Sequence, residues 1–361
     1  MRIVIAGGGT GGHLFPGIAV AEEFLRRDKE NRVLFIGTKK GIEHRVLPGL
    51  GYALQEIDVE GVKGRGIRAL IKGVYAVPKS MLQSRNILKR FAPDVVLGVG
   101  GYASGPAVMA AWCMGRPTAI AEQNAVAGNT NRILGKFVDR IFLTYEESKE
   151  GFTSGKTMIT GNPVRAALAA GLVRPKQKND MYRILIFGGS QGAAAINKTV
   201  IEMLPLLRQM KDRIHVVHQT GEREEDAVRR AYHHSGMDAE VSAFIVDMAS
   251  AYASADLIIC RAGATSLAEI TTAGRASVLI PFPWAIGDHQ TKNAEAMVRA
   301  GAAVMIKEGS LSAATLYARI ECLLTNEEKR REMEARSKRM GRPDAAKRIV
   351  DACVELAMSR Q

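Results

Sequence analysis

The amino-acid sequence predicts an α/β protein with two Rossmann-like domains, each built on a parallel sheet that helices cover on both faces. Short runs that are apolar throughout alternate with longer segments of helical periodicity, as expected for strands buried on both sides. The second half of the chain repeats the plan of the first half. The length of 361 residues also exceeds what a single hydrophobic core usually holds.

The apolar runs give the predicted strands. In the first half they lie at residues 2–7, 32–37, 94–100, 118–122 and 140–144. In the second half they lie at residues 183–188, 214–221, 239–245, 255–263 and 276–283. A helix from about residue 17 to residue 27 is expected to follow the first strand. The end of the chain is expected to form two helices separated by Gly341, Arg342 and Pro343.

A domain boundary is predicted just after the segment TGNPVR at residues 160–165. The alanine-rich and then charged stretch of residues 166–180 is typical of a surface linker. We therefore expect an N-terminal domain of residues 1–162 and a C-terminal domain of residues 163–340. Residues 341–361 are expected to form a C-terminal helix that packs back toward the N-terminal domain.

The composition indicates a cytoplasmic protein that contacts anions. The formal net charge of +13 favours binding to nucleic acid, acidic lipid surfaces or phosphorylated substrates. Excess Lys and Arg that only keep the protein soluble would give the same charge. The cysteines stand far apart without a CxxC pair, which favours free thiols in a reducing compartment over zinc or redox motifs. No secretion leader is recognised, and the longest apolar run, residues 107–114, is far below the ~20 residues of a spanning helix.

Three glycine-rich turns each follow a predicted strand and precede a helix. They lie at residues 7–12, 98–106 and 188–192. Glycine lets the backbone turn tightly and lets a ligand approach the amides, and the helix N-terminus that follows favours negative charge. Each turn therefore fits phosphate binding, and each taken singly fits a plain strand–helix junction equally well.

The first turn also satisfies GxGxxG with Gly7, Gly9 and Gly12, as in dinucleotide-dependent dehydrogenases. Such enzymes need an acidic residue at the end of the second strand to hold the ribose. Here that strand ends in FIGTKK, and Glu43 comes too late in the chain. A P-loop is excluded because no Gly-Lys-Ser/Thr follows the turn. The sequence therefore argues against a nicotinamide cofactor, and no other cofactor is expected.

Six motifs occur in order along the chain. They are GGGTGGHLFPGIAVA, GVGGYASGP, EQNAVAGNTNR, TGNPVR, GGSQGA with a following asparagine, and CRAGATSLAEI with the later PFP and DHQTKNA. Together they resemble the MurG family of UDP-N-acetylglucosamine:N-acetylmuramyl-(pentapeptide) pyrophosphoryl-undecaprenol N-acetylglucosaminyltransferases. The match runs from the first strand to about Ile306, which is most of the chain.

The resemblance implies a glycosyltransferase-B architecture, with a cleft between the two Rossmann-like domains. It implies an inverting transfer of N-acetylglucosamine from UDP-N-acetylglucosamine to the muramyl 4-hydroxyl of an undecaprenyl-diphosphate-linked muramyl-pentapeptide. This is the step from lipid I to lipid II in peptidoglycan synthesis. The C-terminal domain would bind the donor and the N-terminal domain the lipid-linked acceptor. The protein would be peripheral, on the cytoplasmic face of the plasma (inner) membrane.

By resemblance, most donor contacts come from the C-terminal domain. Glu269 would accept both ribose hydroxyls, although an acid early in a helix also stabilises the helix dipole. Ser190 would bind a phosphate oxygen, Ile245 would pack on uracil and pair with it through its backbone, and Gln290 would contact the sugar hydroxyls. Arg165 would neutralise the leaving diphosphate, unless it is a linker arginine in a surface ion pair. The implied donor set is Thr10, Gly11, Gly12, Asn124, Arg165, Ser190, Ile245, Ala264, Thr265, Ser266, Leu267, Ala268, Glu269 and Gln290.

His13 is the first candidate for the general base, because it follows the first glycine turn and imidazole titrates near neutrality. A histidine at a helix start can equally serve only in capping or packing. Glu122 is the rival or assisting carboxylate, and Ala121 stands where family members often carry histidine. The implied ligands of the acceptor diphosphate are Gly9, Gly101, Tyr102 and Ser104. No Asp-x-Asp lies beside a strand, so no metal is expected.

The basic charge is concentrated between residues 61 and 93, which contain no Asp or Glu. The eight basic residues there are Lys63, Arg65, Arg68, Lys72, Lys79, Arg85, Lys89 and Arg90. Ile67, Leu70, Ile71 and Val74 form one helical stripe, and Pro78 is expected to kink or split the helix. A basic amphipathic helix suits an anionic membrane surface, although part of the stripe must be a core face. Nucleic-acid binding is disfavoured, since no recognised module accompanies the charge.

Two other functions remain open at this point. One is a different UDP-sugar enzyme on the same architecture, such as an epimerase or a glycolipid transferase. It would keep the C-terminal donor motif and lack EQNAVAGNTNR and the basic segment. The other is a non-catalytic nucleotide-sugar-binding protein or membrane scaffold, which would not turn over UDP-sugar in the presence of a lipid diphosphate acceptor.

Overall fold

The chain forms two compact α/β units. The computed structural model describes residues 1–59, 67–152, 155–171, 181–189 and 192–360. Unit 1 comprises residues 1–166 and 344–361, and unit 2 comprises residues 167–343. Each unit has its own parallel β-sheet, so the predicted class of two Rossmann-like domains is confirmed.

The strands and helices of the described residues are numbered in chain order. The strands are β1 (Arg2–Gly7), β2 (Arg32–Gly37), β3 (Ala53–Glu56), β4 (Val95–Gly100), β5 (Thr118–Glu122), β6 (Arg140–Leu143), β7 (Thr157–Ile159), β8 (Tyr182–Phe187), β9 (Ile214–Gln219), β10 (Ala239–Ser242), β11 (Leu257–Cys260), β12 (Ala276–Leu279) and β13 (Val304–Met305). The α-helices are α1 (Gly11–Arg27), α2 (Glu43–Gly49), α3 (Ile67–Phe91), α4 (Ser104–Cys113), α5 (Asn129–Leu134), α6 (Ala166–Gly171), α7 (Ala194–Leu207), α8 (Glu225–Ser235), α9 (Met248–Ser254), α10 (Ala264–Ala273), α11 (His289–Arg299), α12 (Ala313–Thr325), α13 (Glu327–Met340) and α14 (Ala345–Met358).

The sheet of unit 1 has the parallel order β3-β2-β1-β4-β5-β6-β7. Strands β1, β4 and β5 are buried along almost their whole length, because helices cover both faces. Side chains alternate between the faces, so Ile3 and Ile5 join a core with Phe24 of α1 and Ile349 of α14, whereas Val4 joins the opposite core. Because all the strands are parallel, their carboxyl ends lie at one edge of the sheet.

The structure corrects the start of one predicted helix in unit 1 and decides against a split in another. Helix α1 begins at Gly11 and not near residue 17, because the last glycines of the first turn already belong to the helix. Helix α3 continues through Pro78 as one helix and is not split there. The physical reason lies in packing: Ser80, Ser84 and Leu88, spaced four apart, are fully buried and hold the helix against the sheet.

The sheet of unit 2 has the parallel order β10-β9-β8-β11-β12-β13. A buried histidine, His218, lies at β9 of this sheet, and its imidazole contacts the Tyr232 hydroxyl and Asn197 Oδ1 at 3.2 and 3.0 Å. Burial lowers the pKa of His218 to about 3, so the ring is neutral and structural. In the described part of the chain, no helix is long and apolar enough to cross a membrane.

Candidate active site

The first glycine turn lies at the carboxyl end of β1, between β2 and β4. Gly7, Gly8 and Gly9 all have positive φ, which L side chains rarely adopt. Gly8 donates its amide to the carbonyl of Gly100 at 3.2 Å, which joins this turn to the one that follows β4. Thr10 is the N-cap of α1, and both it and Gly12 are exposed. The turn therefore presents the positive end of a helix dipole to solvent.

His13 lies in the first turn of α1, with its ring against the backbone of Gly100. A Cβ built at Gly100 would lie 2.5 Å from His13 Nδ1, so no larger residue fits there. Gly101 is equally constrained, because its Cβ would collide with the carbonyl of Gly8. The turn after β1, the turn after β4 and the His13 imidazole thus form one packed unit.

The turn after β4 exposes one of its two predicted side chains and buries the other. The Tyr102 side chain is 54% exposed. Ser104 is fully buried, and its Oγ lies where a Cβ of Gly98 would be. The Ser104 side chain is therefore shielded from solvent, so a contact of Ser104 with the acceptor diphosphate would come from its backbone. Its backbone remains relevant, because Ser104 opens α4 and contributes to that helix N-terminus.

Glu122 is buried at the end of β5 and accepts hydrogen bonds from four donors. These are Asn124 N at 3.1 Å, Asn124 Nδ2 at 3.2 Å, Gly128 N at 2.9 Å and Asn131 Nδ2 at 2.8 Å. A carboxylate with its lone pairs so engaged organises the loop of residues 123–128 and is poorly placed to take a substrate proton. The geometry therefore favours a positioning role over the predicted catalytic one.

Arg165 is packed close to the start of α1. Its guanidinium lies over the Phe15 ring, 4.8 Å from the centroid. The same ring would contact a Cβ of Gly11 at 3.0 Å, so the ring touches the first turn of the helix. The cation is therefore held beside the anion-favouring end of α1.

The third glycine turn, after β8, is joined to the loop after β10 by the side chain of Gln219, which the sequence analysis did not single out. Gln219, at the end of β9, donates Nε2 to Gly189 O at 2.8 Å and accepts the amide of Ile245 at 3.0 Å. The Ile245 amide already donates to Gln219, so the expected backbone hydrogen bond to uracil would have to use the Ile245 carbonyl as the acceptor. The sequence feature that could have indicated this role is the position of Gln219, a polar residue at the end of a largely buried strand. Ser190 lies outside the described residues.

Helix α10 carries the remaining donor candidates, and Gly263 is its N-cap. Ala264 and Leu267 are buried, whereas Thr265, Ser266 and Ala268 are half-buried. Glu269 is 8% exposed, and its Oε2 accepts the Tyr252 hydroxyl at 2.9 Å. One face of the carboxylate is thereby fixed by Tyr252 of α9.

Gln290 lies at the start of α11, after the loop that follows β12. Its Oε1 accepts the amide of Phe282 at 3.0 Å, so the amide NH2 group is the part left for a ligand. Arg261 supports the same loop, because it donates to the carbonyls of Ile280 and Pro281 at 3.2 Å each. Among the described residues, no cluster of three His, Cys, Asp or Glu side chains is placed to hold a metal ion.

Two family models match the chain. The glycosyltransferase family 28 N-terminal domain matches residues 3–143, and the glycosyltransferase family 28 C-terminal domain matches residues 183–349. A relative from Syntrophus aciditrophicus (strain SB) is named UDP-N-acetylglucosamine--N-acetylmuramyl-(pentapeptide) pyrophosphoryl-undecaprenol N-acetylglucosamine transferase. It is 53% identical over 356 residues and covers 99% of each chain. A relative of the same name from Geobacter sulfurreducens is 49% identical and covers 98% of each chain.

Solved structures extend the similarity. The crystal structure of Acinetobacter baumannii MurG has a TM-score of 0.79 and 31% identity, covering 98% of this chain and 99% of that one. The UDP-GlcNAc 2-epimerase from Neisseria meningitidis, bound to UDP-GlcNAc, has a TM-score of 0.69 and 14% identity. It covers 98% of this chain and 100% of its own. At that identity the second likeness shows a shared fold only.

Proposed function

The chain belongs to the MurG family of glycosyltransferase family 28, and from that membership we infer that it makes lipid II from lipid I. It is a hexosyltransferase that moves N-acetylglucosamine from UDP-N-acetylglucosamine to the undecaprenyl-diphosphate-linked muramyl-pentapeptide. The observation that carries this conclusion is the 53% identity along 99% of both chains. The epimerases share only the fold, at 14% identity, so an epimerase function is not favoured.

We propose that His13 is the general base of this reaction. The muramyl 4-hydroxyl attacks C1 of the donor sugar, the new C1–O4 bond forms, and the bond from C1 to the UDP oxygen breaks. The proton of the hydroxyl passes to the His13 imidazole, which packs on Gly100. Arg165 would neutralise charge that develops on the departing diphosphate, and Glu122 would hold the loop that carries Asn124.

Substrate contacts follow the placement of the turns. The acceptor diphosphate is proposed to bind the exposed backbone of the first turn, with Gly101, Tyr102 and the backbone of Ser104. The donor is proposed to bind unit 2, with its ribose on Glu269, its uracil on Ile245 and its sugar on Gln290. This division is supported by the helix N-termini of α1, α4 and α10, which all favour negative charge.

A coupled assay tests the function. The protein is incubated with UDP-N-acetylglucosamine and a short-chain lipid I analogue, and UDP release is followed together with the product mass. We expect UDP release to require the acceptor, and the acceptor to gain one N-acetylhexosamine. Conversion of the donor without acceptor, or binding of both without turnover, would contradict the transferase function.

We further propose that α3 docks on an anionic membrane at the cytoplasmic face of the inner membrane. Lys63 and Arg65 lie outside the described residues, and side chains are described from Pro78 onward. In that half, Leu82 is 61% exposed. The Lys79 ammonium is already paired with Asp58 at 2.9 Å. The charges left for lipid on this half are Arg85, Lys89 and Arg90, all exposed.

Vesicle sedimentation tests this docking. We expect binding to vesicles that contain anionic phosphatidylglycerol and weak binding to phosphatidylcholine alone. Changing Arg85, Lys89 and Arg90 to Gln should weaken binding about 100-fold, because each basic residue contributes roughly 1 kcal/mol near anionic lipid. The matched control changes three exposed basic residues of α13, namely Lys329, Arg331 and Arg339, to Gln. Equal binding to both vesicle types, or equal loss in both variants, would overturn the proposal.

A further inference from the structure

Glu43 is a buried carboxylate that the reaction described above does not use. It opens α2, is 1% exposed, and lies six residues beyond the end of β2. Its Oε2 accepts the amide of Gly9 at 2.6 Å. Its Oε1 accepts the amide of Thr38 at 2.8 Å and the Thr38 hydroxyl at 3.0 Å. A charged acceptor with short bonds of this kind is the strong form of hydrogen bond.

Glycines surround the same carboxylate. A Cβ built at Gly8 or Gly41 would overlap the Glu43 carboxyl group, and one at Gly37 would lie 2.5 Å from its Cγ. The first turn is thus clamped between two surfaces. Glu43 holds one side, and the turn after β4 holds the other, where Gly8 touches Gly101.

The position of His13 depends on this clamp. His13 follows Gly9 by four residues, and its imidazole lies on Gly100. Thr10, which lies between Gly9 and His13, is the N-cap of the helix that carries the imidazole. Gly9 itself has φ +84°, and a Cβ built there would meet nothing within 4 Å, so that side of the residue is open. Its hydrogen bond to Glu43 is therefore an interaction that holds the middle of the turn.

We propose that Glu43 is a positioning residue for catalysis, which sets the glycine turn so that His13 and the N-terminus of α1 face the acceptor. The carboxylate already accepts the Gly9 amide, so in this proposal Gly9, which the resemblance implied as a ligand of the acceptor diphosphate, does not donate that amide to the acceptor. Like charges repel, and a phosphate beside Gly9 would lie close to Glu43. This inference rests on the proposed function, because it concerns how that reaction is oriented.

The test is Glu43→Gln, which keeps the shape but places an NH2 group against one of the donors. We expect kcat to fall about 10- to 100-fold, as for a misplacement of about 1 Å. The KM for UDP-N-acetylglucosamine should change much less than kcat, because the proposed uracil, ribose and sugar contacts, Ile245, Glu269 and Gln290, belong to the other unit. The matched control is Asp139→Asn. Asp139 also accepts the amide and hydroxyl of a threonine, Thr118, but it precedes β6, away from the carboxyl ends of the strands.

The control separates positioning from general stability. We expect both variants to lower the thermal midpoint and only Glu43→Gln to lower kcat. An unchanged kcat in Glu43→Gln, or an equal loss in Asp139→Asn, would overturn the inference. If Glu43→Gln does not fold, Thr38→Val decides: a fall in kcat of about threefold or more supports the clamp, and parental kcat overturns it. A parent protein that releases no UDP with acceptor would instead refute the proposed function.

Discussion

Replacing His13 with alanine is expected to lower kcat by about 10²- to 10⁴-fold, the usual contribution of a general base. The KM for UDP-N-acetylglucosamine should change by less than about threefold, because the removed group acts on the acceptor hydroxyl in the transition state. The expectation rests on the placement of the ring, which lies on Gly100 at the start of α1. Steady-state UDP release with a short-chain lipid I analogue measures both constants.

The pH dependence of kcat makes this result specific. Imidazole can act as a base only while it is neutral, so acidification that protonates the ring should lower the kcat of the parent. The residual activity of His13→Ala should not show that loss of kcat on acidification. His233→Ala is the control, since that histidine is exposed on α8 of unit 2. If His13→Ala keeps the parental kcat, or keeps the parental loss of activity at low pH, the general base is a group other than His13.

The parts of the fold that the sequence predicted are those that burial alone decides. Strands β1, β4 and β5 are buried at nearly every position, so apolar runs mark them clearly. Strands β3, β7 and β13 were missed, because they have four, three and two residues and are partly exposed. The start of α1 was misplaced because glycine signals a turn, and its helical state at Gly11 depends on packing.

The candidate site divides in the same way. The positions of its motifs were predictable, because each glycine turn follows a predicted strand and the family resemblance implies a role for the residues of each motif. Its supporting contacts were not, since they join residues distant in sequence. Glu43 and Gly9 are 34 positions apart, and Gln219 and Ile245 are 26 apart. The sequence argued that Glu43 comes too late in the chain for a ribose ligand, and only the fold shows that its carboxylate points back to the first turn.

Replacing Glu269 with alanine is expected to weaken donor binding by about 100-fold. In the proposed role the substitution would remove two hydrogen bonds from ribose hydroxyls to the carboxylate, and each such bond is typically worth about 1.5 kcal/mol or more. The carboxylate is well suited to this role, because it is 8% exposed and the Tyr252 hydroxyl fixes its Oε2. Once donor is saturating, kcat should fall far less than KM rises, since the ribose does not react.

Nucleotide analogues identify the contact directly. Calorimetric titration should show that the parent binds UDP more tightly than 2′-deoxy-UDP, and that Glu269→Ala binds the two nearly alike. Tyr252→Phe is the matched control: it removes the inner hydrogen bond but keeps the carboxylate, so the preference for the 2′-hydroxyl should persist at reduced affinity. If Glu269→Ala keeps the parental preference, the carboxylate does not bind the 2′-hydroxyl. Its place on α10 would then reflect only support of the helix and of Tyr252.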